Sequence, residues 1–172
     1  MDVEHDNPPA SQLESREPSV EDLVDLCRDL NGLGARYLVI GGFALRAAGY
    51  DRHTMDVDLL IEATPGNEQR VFAALAKLPD QAALELQPGD VARYGVVRVA
   101  DEIVVDLMSS ASGIEYNEAC TDVLIREISG VRIPFASPRL LFRMKRSSVR
   151  DKDAADIHFL RMLLTRAGET LD

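Results

Sequence analysis

Two short apolar runs, joined by a glycine pair and a short helix-forming segment, occupy residues 37–62, and this order constrains the fold more than any other stretch. Tyr37-Leu-Val-Ile40 is apolar throughout and stops at Gly41-Gly42. A run this short and unalternating predicts a buried strand. Phe43 to Ala48 then predicts a short helix, broken by Gly49. Met55 to Glu62 alternates and predicts a second strand, with Asp56 and Asp58 at its start. A chain that places two strands around so short a helix has to build a sheet at its centre.

The remaining sequence supplies the flanking layers. Residues 1–18 hold three prolines, many acids and almost no aliphatic side chains, which predicts a disordered acidic tail. Residues 19–172 are read as a single domain. Ser19 with Asp22 suggests a capped helix start, and Leu23, Leu26, Cys27 and Leu30 form its apolar stripe up to Gly32 and Gly34. Thr64-Pro65 predicts a helix start, continuing to about residue 78. Residues 79–92 read as a loop with a helical turn. Tyr94–Val99 and Glu102–Met108 predict a hairpin turning at Ala100-Asp101. Serines and Gly113 mark residues 109–121 as a loop. Val123–Ile128 and Val131–Phe135 predict a second hairpin around Ser129-Gly130, and Ser137-Pro138 starts the first of two closing helices, the second spanning Asp151 to Arg166. The expected class is α+β, with a mixed central β-sheet flanked by helices and a C-terminal helical pair.

Composition narrows the function. The chain has 172 residues, 46% hydrophobic and 28% charged, and no apolar run approaches the ~18 residues of a membrane span. The polar start does not resemble a signal peptide, so a cytoplasmic location is expected. Cys27 and Cys120 lack metal-ligand spacing and read as reduced thiols. A net charge of −10 disfavours broad nucleic-acid binding, so any such substrate needs a local basic patch. Residues 139–152 offer one, with Arg139, Arg143, Lys145, Arg146, Arg150 and Lys152 set against Asp151 alone. The same run also fits a solvated helix face.

Asp56 and Asp58 share one face of their strand, with α-carbons about 7 Å apart. Two carboxylates so placed repel, unless a cation lies between them. Hard oxygen ligands of this kind suit Mg²⁺, which takes one or two carboxylates and completes its shell with water or phosphate. An acidic solvent-facing edge is the alternative. Asp106 ends the apolar run Ile103-Val104-Val105, again at the border of a core, and a third carboxylate there fits a two-metal site. Gly41-Gly42, between a strand and a helix, could bring backbone N–H groups up to phosphate, although a tight strand–helix turn needs glycine anyway.

The order Gly41-Gly42, short helix, Arg52-x-Thr54-x-Asp56-x-Asp58 resembles the signature of the DNA polymerase beta-like nucleotidyltransferase superfamily. Within it, the stretch is most similar to the bacterial abortive-infection and toxin–antitoxin nucleotidyltransferases. Lys145, then Arg150-x-Lys152-Asp153-x-x-Asp156, is similar to a later motif of that group. The resemblance covers residues 36–62 and 103–164. It implies the minimal nucleotidyltransferase fold and transfer of a nucleotide from an NTP, with Asp56, Asp58 and Asp106 as catalytic, metal-binding residues for Mg²⁺ or Mn²⁺. It also implies nucleotide contacts from Gly41, Gly42, Lys145, Arg150 and Lys152, and from Arg52 and Thr54 unless these hold the strand end instead. Many superfamily members carry Gly-Ser, and Gly42 stands in the serine's place. Asp153 and Asp156 lie one helical turn apart and are expected to lock the helix, with Lys152 and Asp156 forming an i,i+4 pair.

The expected acceptor is a macromolecule, RNA such as tRNA or a protein, and an antitoxin is a possible partner. A small molecule such as an antibiotic is the alternative acceptor. A non-catalytic nucleotide-binding module and a metal-dependent phosphohydrolase are the competing classes. Phosphohydrolases usually recruit histidines, and only His53 lies near the acids.

Overall fold

The computed structural model describes residues 14–171. The chain runs α1 (Val20–Gly32), β1 (Tyr37–Ile40), α2 (Gly41–Ala47), β2 (Asp56–Ile61), α3 (Pro65–Leu75), a 3₁₀ turn (Ala82–Glu85), α4 (Asp90–Tyr94), β3 (Val96–Ala100) and β4 (Val104–Met108). It continues through β5 (Ser110–Ala111), β6 (Ile114–Glu115), α5 (Tyr116–Ala119), β7 (Val123–Ile128), β8 (Val131–Ala136), α6 (Pro138–Lys145) and α7 (Asp151–Arg166).

Six strands form one mixed sheet in the order β3-β4-β2-β1-β8-β7. β1 sits near the middle, antiparallel to β2 and parallel to β8, and all four of its residues are buried. That position explains its unbroken apolar sequence. β4 runs parallel to β2, and β3 pairs antiparallel with β4 at the sheet edge. β7 and β8 close through Ser129 and Gly130, both with positive φ (51° and 76°), the geometry of a two-residue hairpin turn matched to strand twist.

Helices cover the sheet as expected. In α1, Ser19 and Asp22 complete a reciprocal capping box, and Leu23, Leu26, Cys27 and Leu30 are buried. α6 begins at Ser137, whose hydroxyl accepts the Leu140 N–H at 3.1 Å. α6 and α7 pack together as the C-terminal pair. Tyr50 stacks on Phe159 with centroids 4.7 Å apart, tying the segment after α2 to α7.

Three expectations shift. Residues 1–13 lie outside the described ones, but residues 14–18, read as part of the tail, are held to the body. The Arg16 N–H donates to the Glu102 carbonyl at 2.8 Å, the Ser15 hydroxyl donates to the Asp101 carbonyl at 2.6 Å, and the Arg16 guanidinium grips both oxygens of Asp22. The β3–β4 hairpin turns over Asp101–Ile103, later than expected, because Asp101 is buried and its carboxylate accepts the N–H groups of Asp80, Ala82 and Glu102. Those bonds also organise the segment after α3. Residues 109–121 are not a plain loop: they hold the small β5–β6 hairpin, turned at Ser112 and Gly113 with positive φ, and α5. No helix among the described residues is long and apolar enough to cross a membrane.

Candidate active site

Register brings the three acids together. Asp58 of β2 lies directly opposite Asp106 of β4, and Asp56 precedes it on the same face of β2. Carboxylate oxygens of Asp56, Asp58 and Asp106 all lie within 4.8 Å of one another. Asp106 is buried, while Asp56 and Asp58 are half-buried at the mouth of the strand. The remaining β2 residues, Val57 and Leu59 to Ile61, are fully buried, so the acids mark where the sheet leaves the core.

Crowding of like charges shows in the protonation of the group. Burial, then Asp56 and Asp106, push the Asp58 carboxyl from 3.8 up to about 7. Asp56 is raised by burial and by Asp106, against the opposing pull of Arg98. Such a cluster lacks enough positive charge of its own, and its all-oxygen donor set fits a hard divalent cation.

The glycine pair is a steric requirement of this site. Gly41 adopts φ +68°, and a Cβ there would lie 2.1 Å from Asp58 Oδ2. At Gly42 a Cβ would lie 2.6 Å from the Thr54 Cβ and 2.7 Å from its hydroxyl. Thr54 is buried, and its hydroxyl donates to the Asp56 carbonyl at 2.9 Å, steadying the start of β2. The side chain of Thr54 therefore occupies the volume that a serine at position 42 would need.

A cleft of about 570 Å³ opens over the acids, and its far wall is cationic. Lys145 of α6 lies 2.9 Å from Asp153 and 3.1 Å from Asp156, two carboxylates of α7 that are each 1% exposed. Arg52 reaches Asp156 at 2.6 Å, and Arg150 reaches Asp153 at 2.8 Å, where the Ser148 hydroxyl also donates. Asp153 and Asp156 thus hold three cleft cations in place as well as joining α7 to its neighbours. The expected Lys152–Asp156 pair is replaced: Asp156 meets Arg52 and Lys145, while Lys152 stands exposed at the cleft.

Of the expected residues, Gly41, Gly42, Arg52, Thr54, Asp56, Asp58, Asp106, Lys145, Arg150 and Lys152 all line this cleft. Arg139, Arg143 and Arg146 do not, and Arg143 is ion-paired with Glu118. His53 sits exposed at the rim beside Met55, and Glu17 lies 3.2 Å from its Nδ1. Two contributors escaped the sequence reading. Ser110 to Ser112 line the cleft from the small hairpin, with Ser112 anchored on the Met144 carbonyl at 2.5 Å. Arg98 of β3 grips both oxygens of Asp106 at 2.9 Å and lies 3.4 Å from Asp56. The signal for Arg98 was a cross-strand charge match, Val97-Arg98-Val99 against Val105-Asp106-Leu107, hidden by the displaced turn.

Residues 19–172 match the family described as "Nucleotidyl transferase of unknown function (DUF2204)". The chain belongs to this nucleotidyltransferase family. No curated protein matches it. Among solved structures, a Thermotoga maritima protein assigned as a nucleotidyltransferase is similar at 13% identity. It covers 91% of this chain and 99% of its own, with a TM-score of 0.51. An antigenic nucleotidyltransferase-like protein from Paracoccidioides brasiliensis is similar at 18% identity, over 84% of this chain and 74% of its own, with a TM-score of 0.52. At these identities the two neighbours speak for the fold, and the family match makes the chain a nucleotidyltransferase.

Proposed function

We propose that this domain, residues 19–172, transfers a nucleoside monophosphate from an NTP to a hydroxyl of a macromolecular acceptor. The observation that carries the reading is the β2–β4 register, which gathers Asp56, Asp58 and Asp106 across a cleft from Lys145. Asp56, Asp58 and Asp106 would hold Mg²⁺ or Mn²⁺. When bound, the metal supplies charge neutralisation on the phosphates and a lower pKa for the acceptor hydroxyl.

Each remaining task falls to a side chain already placed. Lys145, Arg150 and Lys152 face the triphosphate and offset its charge. Lys145 is fixed by two buried carboxylates, so it is preorganised for that role. Arg52 and Thr54 hold the entry to β2, and Gly41 and Gly42 line the cleft where the phosphates would lie. Asp106 takes the proton of the acceptor hydroxyl as its oxygen bonds to the α-phosphorus. The bond from that phosphorus to the bridging oxygen breaks, and pyrophosphate leaves.

RNA such as tRNA, or a protein, is the preferred acceptor class, supported by the similarity of the motifs to toxin-type members and by the exposed Arg139 and Arg146. The same similarity supports a role as the toxin of a toxin–antitoxin or phage-defence pair, with an antitoxin partner and a cytoplasmic site of action. A small-molecule acceptor such as an antibiotic gains support from the loss of Arg143 to Glu118.

The test is incubation with α-labelled NTPs, Mg²⁺ and three acceptor pools: RNA, protein and small molecules. Label on RNA or protein is expected, and label on a small molecule alone would replace the acceptor. Asp106→Asn should keep nucleotide binding and lose transfer. NTP with Mg²⁺ should raise the melting temperature more than either alone, through linkage, and Asp58→Asn should abolish that synergy. Stabilisation with no transfer to any pool would make the chain a binding module, and absence of both would overturn the reading.

A further inference from the structure

Among the described residues, Arg98 is the one cleft cation that contacts the acidic cluster itself. It sits on the edge strand β3, opposite Asp106 in register. Its Nε donates to Asp106 Oδ1 and its Nη2 to Asp106 Oδ2, each at 2.9 Å, and the same Nη2 lies 3.4 Å from Asp56 Oδ2. Asp58 takes no ion pair from it. The oxygens that Arg98 occupies on Asp106 and Asp56 are drawn from the same three carboxylates that would bind a divalent cation.

A guanidinium and a divalent cation on those same oxygens repel each other across a partly buried site, so each weakens the hold of the other. The partners differ in freedom. The Asp106 side chain is 10% exposed and fixed in its strand, whereas that of Arg98 is 63% exposed and has open cleft beside it. When the site fills, Arg98 is the group that can leave.

We propose that Arg98 is a positioning residue that acts as a built-in counter-ion, closing Asp106 and Asp56 to metal until a triphosphate draws the guanidinium away. This rests on the metal-dependent reading of the site. The metal-free cluster gains a charge-assisted, two-pronged partner, and isolated Mg²⁺ or Mn²⁺ has to compete with it. A nucleotide arriving with its metal brings phosphate oxygens into the cleft that Arg98 already lines. The guanidinium can then exchange carboxylate for phosphate. Metal uptake and nucleotide uptake become one coupled event. A purely structural Arg98, holding the Asp106 carboxylate in its metal-binding orientation, predicts the opposite sign.

The test is Mn²⁺ binding to the whole chain, followed by electron paramagnetic resonance. Wild type, Arg98→Gln, Arg98→Lys and Asp58→Asn are compared, each with and without an NTP analogue bearing a non-cleavable α,β-bridge. Circular dichroism checks that each variant is folded. Arg98→Gln should bind Mn²⁺ alone about tenfold tighter than wild type, and should gain less from the analogue. Arg98→Lys, which keeps the charge but not the fork, should fall between. Equal or weaker Mn²⁺ binding by Arg98→Gln, with wild type still binding Mn²⁺ alongside the analogue, overturns the inference and leaves the metal site standing. Failure of wild type to bind Mn²⁺ even with the analogue, or unchanged binding by Asp58→Asn, overturns the metal site and this inference with it.

Discussion

Arg52 Nη1 lies 2.6 Å from Asp156 Oδ2, fastening the segment ahead of the Asp-x-Asp strand to the last helix. The same oxygen lies 3.1 Å from Lys145 Nζ. One buried carboxylate therefore sets the position of two cations that come from distant parts of the chain.

Replacing Asp156 by Asn should leave Arg52 without its buried partner and Lys145 with Asp153 alone. Breaking a buried pair in this way costs about 3 kcal/mol. Urea unfolding should show a loss of that order, together with weaker NTP binding as Lys145 loses its fixed position. A variant as stable as wild type would show that Arg52 and Lys145 do not depend on Asp156.

Gly42→Ser should destabilise by ~1–3 kcal/mol through overpacking against Thr54. The double variant Gly42→Ser with Thr54→Gly frees the contested volume. It should recover part of the serine's packing cost, a non-additivity readable in thermal melts. Additive losses would mean that Thr54 is not what excludes a side chain at position 42. Gly41→Ala should do more harm, because it combines a left-handed backbone with a Cβ lying 2.1 Å from Asp58 Oδ2.

Acid should weaken the fold through two carboxylates. The Arg16 guanidinium holds Asp22 down at about 2, from 3.8. Burial would push Asp153 up, but Lys145, Ser148 and Arg150 hold it well below the usual range. Below 3.8 the unfolded chain binds protons that these native groups refuse, so their contribution, fully present above that value, is lost as the pH falls through the folded pKa. Unfolding midpoints should drop as the pH falls from 3.8 toward 2, a range in which Asp58 is already protonated whether the chain is folded or not, and Asp22→Asn should drop less steeply. Parallel slopes for the two proteins would contradict the Arg16–Asp22 contribution.

RNA binding, if RNA is the acceptor, should depend on Arg139 and Arg146 and little on Arg143, which Glu118 already neutralises. Backbone contacts give a log–log salt slope near −0.7 for each phosphate. Arg139→Gln with Arg146→Gln should flatten the slope by roughly twice that amount while NTP affinity holds. An unchanged slope would reduce the stripe to a solvated face and favour a small acceptor.

Periodicity and turn residues carried much of this architecture. β1 was readable because a four-residue apolar run ending in two glycines has few other uses, and α7 because its polar start and apolar stripe are local. The clustering of Asp56, Asp58 and Asp106 followed from acids at the ends of apolar runs. What stayed hidden depended on distance. Arg98 meets Asp106 through a register that the buried Asp101 displaces, and no local pattern reveals that displacement. Helical spacing alone pairs Asp156 with Lys152. The structure gives Asp156 to Arg52 and Lys145, because a buried carboxylate pairs with the cations that reach the interior.

The cleft is assembled from segments made at very different times during synthesis. Gly41, Gly42 and the Asp-x-Asp strand emerge early, but Asp106 waits for β4, and the cationic wall waits for Asp153 and Asp156 of α7. A chain still on the ribosome without α7 can pair its first strands, yet it has nothing to hold Lys145 or Arg52 in place. Nascent chains should therefore be inert toward nucleotide until α7 has been made and has docked.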